Sequence, residues 1–200
     1  MRRMLVTIVA AGALAALAAG TAGCDAGAAG AAPAAHAPAV QAPAVHVLAG
    51  GTEAEIYVQV LRRYLGTPAE NSFPGQAFKT VYVLNRAHRD AADPGGNHDR
   101  GTPIALQAQR QVTAALAGMA RVVFITDRES VIKTRDGCAY VRSGGILITL
   151  GSPDGDGRQV RVAVNGFVAC LGATWLTYVL RNQPGTGWRV TGTTGSVAIS

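Results

Sequence analysis

Gln159-Val160-Arg161-Val162-Ala163-Val164-Asn165-Gly166-Phe167-Val168-Ala169 is the stretch whose reading decides the fold. Val160, Val162 and Val164 fall on one face and Arg161 and Asn165 on the other, the period of two that sends alternate side chains to opposite sides of a strand. The runs 146–150, 173–181 and 188–199 share its β-rich composition. Turn chemistry separates them: Ser152-Pro153-Asp154-Gly155-Asp156-Gly157 carries Pro and Asp-Gly signals, and Asn182-Gln183-Pro184-Gly185-Thr186-Gly187 supplies a second loop. The expectation is an antiparallel meander with one face toward a core and the other mostly toward water.

Upstream, the chain changes period. Thr52-Glu53-Ala54-Glu55 fits a capping box, after which Ile56, Tyr57, Val60, Leu61 and Tyr64 recur on one helical face until Gly66 and Pro68 stop it. Tyr57 and Tyr64 share that face with aliphatic residues, so they read as core rather than as a stacking pair for a ligand. Residues 79–85 alternate as a strand, with Val81 and Val83 opposite Tyr82 and Leu84. A second helix is expected with Thr102 as its cap and Pro103 at its first position, its face formed by Ile104, Ala108, Val112, Ala115 and Met119. The short run 121–126 has strand composition. Together these predict an α+β fold, two helices packed on one face of a mostly antiparallel sheet.

The N-terminal part cannot belong to that core. Met1-Arg2-Arg3 is a positive start, residues 5–19 are uncharged and, Thr7 aside, apolar, and Gly20-Thr21-Ala22-Gly23-Cys24 follows. The apolar stretch is shorter than the roughly 20 residues a spanning helix needs. From 25 to 45 the chain is almost wholly Ala, Gly and Pro, a tether that cannot bury a core. The leader resembles bacterial lipoprotein signal peptides, whose lipobox places small residues before a cysteine. The resemblance implies cleavage between Gly23 and Cys24, a diacylglycerol on the Cys24 thiol, and a lipid-anchored, extracytoplasmic location at the cell membrane; Thr21 stands where such boxes most often carry Leu. The alternatives are an ordinary signal peptide cut nearby, with Cys24 left as a free thiol, and a retained N-terminal anchor helix. The expected organisation is a signal peptide over 1–23, a lipidated tether over 24–45 and one globular domain over 46–200.

Eighteen basic and twelve acidic residues leave a net charge of +6, falling to +4 when Arg2 and Arg3 go with the leader. The arginines are scattered and lack interleaved aromatics, so nucleic-acid binding has no footprint. In an exported chain Cys138 and Cys170 are free to pair as a disulfide; two buried thiols are the alternative. No redox couple is implied, because the spacing is far from Cys-x-x-Cys.

Three motifs touch on chemistry. The 85–100 loop holds His88 and His98 with Asp90, Asp93 and Asp99, but Arg86, Arg89 and Arg100 in the same loop oppose a cation, so a solvated connection is the expectation. Ser130-Val131-Ile132-Lys133 fits a Ser-x-x-Lys pattern without the companion motifs of penicillin-recognising enzymes. Asp154-Gly155-Asp156-Gly157 lacks the closing Glu of an EF-hand and reads as a turn. His36 and His46 stand in or beside the flexible tail without a ligand geometry. No catalytic residue, metal ligand or cofactor is assigned.

The ending Gly187-Trp188-Arg189-Val190-Thr191-Gly192-Thr193-Thr194-Gly195, with Tyr178-Val179-Leu180-Arg181, resembles the terminus of small exported actinobacterial proteins of unknown function. The strand-turn-Trp ending is also similar to cone-shaped folds of the nuclear transport factor 2 type, which implies a small-ligand pocket. The functional expectation is a membrane-anchored, non-catalytic binding or structural domain, attached to lipid through Cys24 and facing a small ligand, a wall polymer or an envelope protein. The rival expectation is an envelope hydrolase or metal-binding enzyme using the 85–100 loop.

Overall fold

The computed structural model of the chain describes residues 50–73, 75, 77–96 and 101–200, all within a unit running from Val45 to Ser200. The leader, Cys24, the Ala/Pro-rich stretch, His36, His46 and His98 lie outside the described residues.

Helix α1 spans Gly50–Gly66, and its apolar stripe does what the spacing predicts: Ile56, Tyr57, Val60, Leu61 and Tyr64 are fully buried. Both tyrosines are core residues with satisfied hydroxyls. Tyr57 Oη donates to the Gly151 carbonyl at 3.2 Å, and Tyr64 Oη bonds Thr174 Oγ1. The capping box is a correction. Gly50 is already helical, so Thr52 lies inside the first turn, and the Glu55 carboxylate instead accepts the Trp188 backbone N–H at 2.8 Å. A carboxylate that reaches a distant orphan amide does more for the tertiary fold than one folded back on its own first turn.

A short helix α2, Pro68–Asn71, begins on the proline that ended α1. Strand β1 is Thr80–Leu84. The next two strands, β2 (Arg86–Ala87) and β3 (Thr102–Pro103), pair antiparallel and zip together the two ends of the 85–100 loop. Thr102 and Pro103 therefore do not start a helix. Helix α3 is Leu106–Leu116, its N-cap is Ala105 without a side-chain bond, and its buried face is Ala108, Val112 and Leu116, while Met119 is half exposed. Pro103 has no N–H to give to a ladder and tolerates a place in a two-residue edge pair.

Strand β4 (Arg121–Ile125) precedes a 3-10 turn at Arg128–Ser130 and the hairpin β5 (Ile132–Arg135) and β6 (Cys138–Val141). The meander then follows: β7 (Ile146–Leu150), a two-residue β8 (Asp154–Gly155), β9 (Gln159–Ala169), β10 (Gly172–Gln183) and β11 (Gly187–Ile199). The main sheet has the order β11-β10-β9-β7-β1-β4. The β7, β9, β10 and β11 neighbours are antiparallel, whereas β1 runs parallel to both β4 and β7. The architecture is α+β, helices on a large and mostly antiparallel sheet.

The parallel triplet changes what the sheet faces. On the helix side, Val81, Val83, Ile146, Ile148, Leu150, Val160, Val162 and Val164 join α1 and α3 in the principal core. Behind β1 and β7, the other face is not left to water: Tyr82, Leu84 and Leu147 form a second cluster with Val131 and Val141 of the hairpin segment. Expecting a mostly solvated second face was correct only away from this cluster, as at exposed Arg161. A strand buried on both faces needs a cover on each side, and the chain supplies α3 on one and β5–β6 on the other.

Candidate functional site

Because β1, β4 and β7 point the same way, their carboxyl ends gather at one edge. The chain leaving β1 reaches β4 through α3 on one face of the sheet, and the chain leaving β4 reaches β7 through the β5–β6 hairpin on the other. Where successive connections depart to opposite faces, a crevice opens beyond the strand ends, the usual ligand position in sheets with parallel strands. Here it is a cavity of about 440 Å³, within the span of roughly 300–1,000 Å³ typical of small-molecule sites.

Its apolar floor is Leu84, Leu147 and Phe167. Three polar side chains are set against that floor. Thr149 and His88 are buried, and Asn165, the cross-strand neighbour of Thr149, donates its Nδ2 to the Thr174 carbonyl at 3.1 Å. Local pairing explains why they meet: Thr149 and Asn165 sit in register on β7 and β9, and the His88 backbone N–H bonds the Leu150 carbonyl at 2.7 Å, drawing the loop after β1 over the end of β7. The ring of His88 is packed so tightly that a Cβ on Gly101 would lie 2.8 Å from it.

The rim carries charge. Arg86 enters from β2 and Arg128 from the segment after β4, with Asn85 and Asp127 beside them. Asn85 is held by two backbone bonds, its N–H to the Ile125 carbonyl at 2.8 Å and its carbonyl to the Ile104 N–H at 2.9 Å. Asp127 caps the 3-10 turn by accepting the Glu129 N–H at 2.9 Å. Arg128 lies 3.5 Å from Glu129, both side chains exposed, a contact worth little in water.

The sequence motifs fare unequally. Of the 85–100 loop, Arg86 and His88 line the cavity and Ala87, His88 and Ala91 are buried where β2 and β3 zip the loop onto the sheet, so the expected solvated connection holds only in part, at exposed Arg89 and 93–95. The Asp93 carboxylate accepts the Gly95 N–H at 2.9 Å. Ser130 Oγ donates to the Asp127 carbonyl at 2.6 Å, a local turn bond, and Lys133 is exposed on β5. Asp156 closes a turn as expected, its carboxylate taking the Arg158 and Gln159 N–H groups at 2.8 Å each, and these bonds hold it below its usual range. Among the described residues no group of three or more His, Cys, Asp and Glu side chains is arranged to hold a metal ion.

Cys138 and Cys170 form a disulfide with their Cα atoms 5.5 Å apart, inside the ordinary range for such bonds. It bolts the hairpin to the turn between β9 and β10, next to the Tyr140–Ala169 pair. Arg142 closes the hairpin's other end, lying 5.4 Å over the Tyr82 ring. Thr126 to Arg128, Thr149 and Asn165 carry no motif and were not legible as a site. The hairpin had a signal: Asp136-Gly137 between two short β-like runs, both residues at positive φ, is the chemistry of a two-residue turn.

No protein-family model, curated protein or solved structure matches the chain.

Proposed function

We propose that this protein is a lipid-anchored, extracytoplasmic binding module that takes a small molecule in the cavity beyond β1 and β4 and performs no catalysis on it. The cavity is the observation that carries the reading: an apolar floor with buried Thr149 and His88 and a charged rim, of ligand-binding size. The Cys138–Cys170 disulfide suits an oxidising compartment outside the cytoplasm. Among the described residues no helix is long and apolar enough to cross a membrane; the attachment proposed here is the lipid on Cys24. Two acyl chains on one thioether give stable anchoring where a single chain gives only marginal binding. The 25–45 stretch would let the domain stand up to about 65 Å from that anchor if fully extended.

Two measurements test the proposal. Cys24→Ala should move the protein from the membrane fraction to the medium and abolish labelling by a fatty-acid analogue; unchanged fractionation refutes the anchor. Screening small fragments by protein-observed NMR should perturb Leu147 and Phe167 before other residues, and perturbations confined elsewhere would refute the binding site.

A further inference from the structure

We propose that the cavity selects an anion: a small apolar body carrying one carboxylate or phosphate group. The inference rests on the cavity being the binding site and adds the chemical class of what it takes.

Two guanidinium groups, Arg86 and Arg128, border the cavity against one carboxylate, Asp127. The Arg86 guanidinium has no hydrogen bond or ion pair among the described residues, and it is exposed at the rim. Among the described residues the Arg128 guanidinium has only the open 3.5 Å contact with Glu129. Asp127 is partly occupied, since one of its oxygens accepts the Glu129 N–H. The cavity lining itself thus carries two guanidinium groups against one carboxylate, with Glu129 beside Arg128 and Asp90 behind Gly96 just outside it, and Arg86 keeps its donors for a ligand. Guanidinium forks match the two oxygens of a carboxylate or phosphate, and such charge-assisted pairs are the stronger kind of hydrogen bond.

The floor sets the rest of the ligand. Leu84, Leu147 and Phe167 offer an apolar surface that a hydrated inorganic ion would not use. Thr149 and Asn165 supply polar atoms against that floor, enough to orient a ligand that also bears a hydroxyl or amide. A cation would meet Arg86 and Arg128, and a neutral apolar molecule would gain the floor while leaving both guanidinium groups to water. Only an apolar anion uses both halves.

The test is a titration of the full-length protein in nanodiscs, with empty nanodiscs as blank, using 4-fluorobenzoate and its neutral isostere 4-fluorobenzamide, followed by fluorine NMR. The benzoate should bind at least tenfold more tightly at low salt, and Arg86→Ala and Arg128→Ala should each weaken it about tenfold while leaving the benzamide unchanged. Arg86→Lys should restore part of the loss. Phenyl phosphate in the same assay separates the two anion types, the tighter binder identifying the natural head group. Equal binding of benzoate and benzamide, indifferent to both arginines, would overturn the anion inference and leave the cavity as a site. Loss of both probes in a variant with an unchanged melting temperature would also overturn it, since the arginines would then shape the cavity rather than recognise charge. Binding of neither probe to the parent protein would overturn the inference together with the reading it rests on.

Discussion

Glu70 joins three elements through one carboxylate. Arg63 of α1 donates to it from Nε at 3.0 Å, and Tyr178 of β10 donates its hydroxyl at 2.9 Å. The Arg63 hydrogen bonds hold the Glu70 carboxyl below its ordinary range against an opposing effect of burial, and burial followed by Glu70 pushes the Tyr178 hydroxyl up. Arg63 is nearly half exposed, so water screens its contact, whereas the Tyr178 contact is partly buried. Glu70→Gln should cost about 1–2 kcal/mol in denaturant unfolding at neutral pH. The folded carboxyl has the lower pKa, so its contribution is complete above the unfolded glutamate value of about 4.3 and disappears as the pH falls through the folded value. The variant should therefore show a flatter loss of stability in acid, and an acid limb identical to the parent's would refute the assignment. Nothing in Pro68-Ala69-Glu70 names these partners, because they lie on α1 and β10. Glu55 teaches the same lesson from the other side: its spacing from Thr52 suggested a local cap, and Trp188 took the carboxylate.

At the scale of the element, the β5–β6 hairpin is the piece on which the second face of the sheet depends. Its turn, Asp136-Gly137, has φ of 52° and 76°, values that glycine adopts without cost and a residue with a Cβ does not. Gly137→Ala meets no neighbouring atom, so its cost should be only the backbone term of about 1–2 kcal/mol. The disulfide closes a sequence separation of 32 residues, and replacing both cysteines by serine should cost about 3–4 kcal/mol in the chain-entropy picture. Hydrogen exchange would locate the damage: amides of Ile132–Arg135 and Cys138–Val141 should lose protection before those of β9 and β10. Uniform loss across the sheet would mean that the hairpin is not a separable cover. The pairing of Cys138 with Cys170 was legible from cysteine arithmetic and the expectation of export, but that it ties down a cover was not.

For the whole molecule, β7 separates two environments one residue apart. Ile148 is fully buried in the core shared with the helices, while Leu147 faces the cavity. Ile148→Ala should cost about 2–5 kcal/mol by leaving a void in the principal core, and Leu147→Ala less, because it packs in the smaller second cluster and lines the cavity. The ligand-binding signature should divide the opposite way, with Leu147→Ala altering probe affinity and Ile148→Ala leaving it near the parent value. Melting temperatures and titrations of the two variants would check this, and equal losses of stability would contradict the two-sided picture.

What the sequence by itself determined was local. The strands from 146 onward, the buried stripe of α1 and the breaks between them follow from side-chain period and turn residues, which act over a few positions of chain. The helical start at Thr102 failed because Arg86–Ala87, far along the chain, claimed Thr102–Pro103 as a strand partner. Beyond the meander, whose antiparallel neighbours the turns foretold, tertiary structure alone decided that β1 runs parallel between β4 and β7 and that Asn85, Arg128, Thr149 and Asn165 surround one cavity. A period of two tells which way a side chain faces, but not which strand lies beside it; that choice belongs to the crossovers, which must cover both faces of a buried strand at once.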